Sequence, residues 1–117
     1  MAIPHPAMVV PRTDEAADLI FSHDERPNDY ICVELEDAAT PLFVFGFFDY
    51  INATIGSLID EYEEEVIPAD RIGELQNAVR AFRKNRAYGP RVTDALDRIE
   101  AALQQAAWLC QPAWFFL

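Results

Sequence analysis

In "YICVELE" (residues 30–36) apolar and polar positions alternate. Ile31, Val33 and Leu35 share one side, and Tyr30, Cys32, Glu34 and Glu36 the other. That is the period of a strand with one covered face. After residue 40 the period changes. Val44, Phe48, Ile51, Ile55, Leu58 and Tyr62 recur at spacings of 4, 3, 4, 3 and 4, one stripe of a helix. Thr40 followed by Pro41 suits a helix start. This phase favours a single helix over about residues 41–65. A competing reading takes "LFVFGFF" (42–48) as a second strand, hairpinned to the first, with the helix starting near Asp49. The phenylalanines, the valine and Gly46 support that alternative.

Two further stripes follow. Ile72, Leu75, Val79 and Phe82 predict a helix that stops before Gly89 and Pro90. Leu96, Ile99, Leu103, Ala106 and Cys110 predict another, capped by Thr93 and ended by Pro112. Upstream, Thr13 caps a short helix whose Asp14 and Glu15 favour its positive end. Pro4, Pro6 and Pro11 keep residues 1–12 extended, with "AMVV" as a candidate edge strand. The tail "AWFFL" is apolar and must pack somewhere, as a strand or as an arm. The expected architecture is mainly α (α+β): three main helices, a short N-terminal helix and one or two short strands. It consists of an extended arm (1–12) and a single globular domain (13–117).

With 117 residues, of which 51% are apolar, the chain can bury a core without a metal or disulfide staple. Its charge is uneven. Residues 1–70 hold 16 acids and 2 bases; residues 71–117 hold 4 acids and 7 bases, for a net of −11. The acidic part repels nucleic acid and anionic membranes, and it attracts a basic protein. The same charge also serves solubility alone. Cys32 and Cys110 lie in apolar periodic segments, and buried free thiols in a reducing compartment are expected. The N-terminal stretch has no basic region followed by a long apolar run, and residues 42–48 are too short to cross a bilayer. A cytoplasmic, soluble protein is the expectation.

Catalytic signatures are scarce. His5 and His23, the latter beside Asp24 and Glu25, form no metal-ligand spacing, so no metal and no cofactor is expected. Ser57 follows Gly56 within the expected helix rather than on a strand-to-helix elbow. Cys32 lacks a basic neighbour and sits near Glu34, which raises its pKa. The chain is not expected to be an enzyme. The basic run Arg80, Arg83, Lys84, Arg86 and Arg91, interleaved with Phe82 and Tyr88, has the residue types of a nucleic-acid patch. Phe82 is in core phase and the molecule is negative, so internal pairing with the acidic cluster, or compensation of a helix dipole, is the favoured use.

Two segments carry the functional reading: "LIDEYEEEV" (58–66) and the loop "SHDERPND" (22–29). If 49–66 is helical, one side carries small residues (Ala53, Gly56, Ser57) and then carboxylates. Asp49, Asp60, Glu61, Glu63, Glu64 and Glu65, with Asp24 and Glu25 of the loop, are the candidate contacts for a basic partner. In overall character the chain resembles the immunity proteins of bacterial polymorphic and contact-dependent toxin systems. That resemblance implies an inhibitor that neutralises a basic toxin domain, such as a nuclease, its carboxylates standing in for phosphates. The alternative is a small homodimeric structural or regulatory module using Trp108, Trp114 and Phe115.

Overall fold

A computed structural model describes residues 6–20, 29–60 and 63–117. Its centre is a four-stranded antiparallel sheet of order β2-β1-β4-β3, built from β1 (Ala7–Pro11), β2 (Tyr30–Glu34), β3 (Glu64–Ile67) and β4 (Ala113–Phe116). The mainly α expectation is therefore corrected to α+β. "AMVV" is not an edge strand or part of an arm. It is central, with Val9 paired to Cys32 on one side and to Trp114 on the other. The four residues Ala7 to Val10 are fully buried, which fits an uninterrupted apolar run covered on both faces. The apolar tail is the other central strand for the same reason.

Helix α1 (Asp14–Asp18) packs against β1 on the outer face of the sheet. Thr13 Oγ1 accepts the Ala16 N–H at 3.0 Å, as a capping hydroxyl should. On the inner face lie α2 (Ala39–Val44), α3 (Phe47–Ile55), α4 (Ile72–Arg83) and α5 (Pro90–Leu109). The alternation in β2 holds. Val33 is buried and Ile31 packs on the main core, while Tyr30, Cys32 and Glu34 face outward. The α4 stripe holds as well, since Ile72, Leu75, Val79 and Phe82 are all buried. Aromatic rings tie the layers together. Phe47 meets Phe82 edge-on at 5.1 Å between centroids, and Phe48 meets Phe115 at 6.1 Å.

The single helix over 41–65 does not form. Gly46 (φ +78°) and Gly56 (φ +73°) both adopt the left-handed conformation, splitting α2 from α3 and ending α3. Glycine enters that region without a Cβ penalty, so the helix phase is broken twice. Val44 and Leu58, members of the expected stripe, are 76% and 75% exposed. Leu42, Phe47 and Ile59 are buried instead. Thr40 is not the cap, because α2 begins at Ala39 and Ala38 holds the cap position. Thr93 is not a cap either, because α5 begins at Pro90, the proline supplying a preset first turn. Cys110 leaves the buried stripe. It ends α5 at φ +55° and is exposed, as is Cys32, and both thiols are free.

Candidate functional site

The acidic segment is a loop followed by an edge strand, not a helix end. Three side chains fix the loop. Asn52 Oδ1 accepts from Ser57 Oγ at 2.7 Å and from the Ile59 N–H at 2.9 Å. Asn52 Nδ2 donates to the Ile59 carbonyl at 2.8 Å. Arg71 donates to the Ile55 carbonyl and pairs with Glu74 at 2.6 Å. These bonds replace helical partners lost where Gly56 ends α3, satisfying the Ile55 carbonyl and both backbone groups of Ile59.

Glu65 has an internal use. Its carboxylate accepts the Leu58 N–H at 2.8 Å and the Val66 N–H at 3.2 Å. The Leu117 N–H reaches the Glu63 carbonyl, so Glu63, Glu65 and Ile67 turn their backbone toward β4. Glu64 and Val66 therefore turn theirs to the open side of the strand. Glu65 closes part of that open edge with its own side chain. This is one way a sheet edge is protected from pairing with another chain.

The remaining acids separate by position. Asp60, Glu63 and Glu64 are exposed along the loop and β3. Asp49 is exposed in the first turn of α3, where a carboxylate favours the helix's positive end. Asp24, Glu25 and Glu61, like His5 and His23, lie outside the described residues. Among the described residues no group of three or more His, Cys, Asp or Glu side chains could hold a metal. No described helix is long and apolar enough to cross a membrane.

Downstream of residue 70 the acids are held by arginines. Arg83 joins α4 to α5 through Asp97 at 2.5 Å and through Glu100, and Arg80 reaches Glu100 at 3.9 Å. Arg98 pairs with Asp94 at 3.1 Å. With Arg71–Glu74, all four acids downstream of residue 70 are engaged. Partial burial alone would lower the Arg83 pKa. The hydrogen bond to Asp97 and the charge of Glu100 more than reverse that and hold it above its ordinary value. Of the basic run, Arg80 and Arg83 are thus paired internally, with α5 rather than with the acidic cluster. Arg86 lies over the rings of Phe45 and Tyr88, at 4.7 and 5.4 Å from their centroids.

The aromatic trio also separates. Phe115 is 1% exposed in the main core, and Trp114 is half-buried in the central strand, stacked on Phe116. Trp108 is 83% exposed on α5. Cys32 is exposed as a residue, but crowding at its thiol and then the charge of Glu34 raise its pKa, which makes it a poor nucleophile. Reading residues 41–65 as one helix missed Asn52, Ser57 and Glu65 as loop-fixing residues. The signal was Gly56 four residues after Asn52, a helix stop with an amide placed to span it.

Comparison with protein-family models, with curated proteins and with solved structures found no match.

Proposed function

We propose that this chain is a stoichiometric binding protein of the immunity type, which docks a basic protein domain on the surface formed by Asp60, Glu63 and Glu64. The observation that supports this is the division of the charges. Each acid after residue 70 is held in an ion pair, whereas Glu63 and Glu64 form none among the described residues and stand exposed on an edge strand. Carboxylates carried on a braced loop and strand lose little freedom on binding, which favours affinity. Their charge steers a cationic partner and fixes its register. The partner's arginines would meet them in charge-assisted pairs, as they would meet phosphate. Glu65 belongs to the support rather than the contact.

The test is capture from the native host's lysate at low and high salt. A basic protein should be held in equal amount at low salt and released at high salt. The double change Glu63→Lys/Glu64→Lys should abolish capture, while Glu36→Lys, an exposed acid beyond the far edge strand, should leave it intact. Capture unaffected by the double change would refute the assigned surface. If the captured protein has a toxic activity, stoichiometric loss of that activity on mixing is the decisive readout for an inhibitor.

A further inference from the structure

We propose that α5 pairs antiparallel with α5 of a second copy of this chain, about a two-fold axis between Gln104 and Gln105. This surface is separate from the acidic one and does not depend on it. Ala101, Gln104, Gln105 and Trp108 are all exposed, and their spacing of three, one and three residues places them on one face of the helix. Trp108, at 83%, is the most exposed large apolar side chain of the described residues. A shallow, open depression lies beside it, lined by Gln104, Gln105, Ala107 and Trp108 itself.

Charge selects the occupant. From Ala101 to Leu117 there is no Asp, Glu, Lys or Arg, in a chain whose net charge is −11. Two copies repel each other over most of their surfaces, and contact is least opposed where neither carries a charge. A two-fold contact must also be self-complementary. Glutamine amides meet that demand because each both donates and accepts. A carboxylate or guanidinium face would oppose its own copy.

The antiparallel register places Trp108 of one copy against Ala101 of the other, where a methyl side chain leaves room for an indole. Gln104 then faces Gln105. α5 ends at Leu109, so Asp97 and Arg98 of each copy lie past the end of the other's helix, where Gln111 is buried and donates to Asp14. The contact is one helix face, at the small end of specific interfaces, so a weak dimer is expected, with Kd roughly 10–500 μM.

Sedimentation equilibrium of the full chain tests this. The mass should rise with concentration from the 13.3 kDa monomer toward twice that value. Added salt should strengthen association by screening the mutual repulsion, the opposite of its effect on a basic partner. Trp108→Ala should weaken the dimer by roughly thirtyfold, and its exposure leaves folding unaffected. Gln105→Glu alone, or Gln104→Lys alone, should also weaken it. The two together should restore it, because the introduced ammonium of each copy then faces the introduced carboxylate of the other. A mass of 13.3 kDa at every concentration would overturn the proposal. So would a dimer indifferent to Trp108→Ala, or a double variant no better than the single ones.

Discussion

The Glu65 carboxylate accepts the backbone N–H of Leu58 at 2.8 Å, bridging the loop after α3 to the edge strand β3. One glutamate of the acidic run is therefore a fastening, while its neighbour Glu64 faces solvent. Removing the fastening strands the part-buried Val66 N–H and releases the exposed loop at Leu58. Glu65→Ala should destabilise the fold by about 1–2 kcal/mol in urea unfolding. Glu64→Ala should stay within about 0.5 kcal/mol of wild type. Equal effects would show that the two residues are not so divided.

A second expectation concerns Gly56. An added Cβ meets nothing within 4 Å, so the cost of Gly56→Ala comes from the left-handed backbone alone. It should be about 1–2 kcal/mol. A neutral result by thermal or chemical unfolding would mean that the loop relaxes out of that conformation.

Phe115 and Trp108 should behave oppositely. Phe115→Ala removes a ring from the centre of the core and should cost about 3–5 kcal/mol. Trp108→Ala should change monomer stability by no more than about 0.5 kcal/mol. Chemical denaturation at a concentration well below dimerisation separates the two effects.

Arg83 fastens α4 to α5 through two carboxylates, and its side chain is 26% exposed. Arg83→Met should cost about 1–2 kcal/mol, and a double-mutant cycle with Glu100→Gln should show coupling of about 0.5–1 kcal/mol. Its folded-state pKa lies above the ordinary value. The stabilisation linked to it is thus fully present below the unfolded pKa and is lost only as pH rises into the strongly alkaline range. Unfolding measured between neutral pH and about pH 9 should show no loss from this source.

Cys32 should alkylate more slowly than a free peptide thiol at a given mildly alkaline pH. A raised pKa leaves less thiolate, so its rate should still be climbing after the peptide's has levelled. Measured in a Cys110→Ser background, a rate equal to the peptide's would contradict the crowding at the thiol.

What the sequence disclosed depended on the range of the interactions. Local period was enough for β2 and for the buried faces of α4 and α5, because each is written within a dozen or so residues. The caps show the same limit at finer scale: Thr13 could be read, whereas Thr40 and Thr93 were displaced by chain entry from neighbouring elements. The sheet was mostly hidden. β1, β3 and β4 are four or five residues long, and their pairing joins segments far apart in the sequence. A four-residue run such as "EEVI" carries no period of its own, and the helical stripe before it appeared to continue through it. Gly46 and Gly56 were the available warning. A place off the helix stripe leaves Trp108 either exposed or covered by the tail, and only knowing that the tail is a central strand decides for its exposure and for the burial of Phe115.

The register of β1 and β4 sets Ala7 opposite Phe116. Translation delivers these two residues more than a hundred residues apart. Until Ala113–Phe116 has been made and has cleared the ribosome, β1 has only β2 beside it, and one side of the most apolar strand stands open. Closing that gap joins strands more than a hundred residues apart, a costly and slow kind of contact to form. Until then the nascent chain carries a sticky edge, and its sheet waits for the segment that supplies β4.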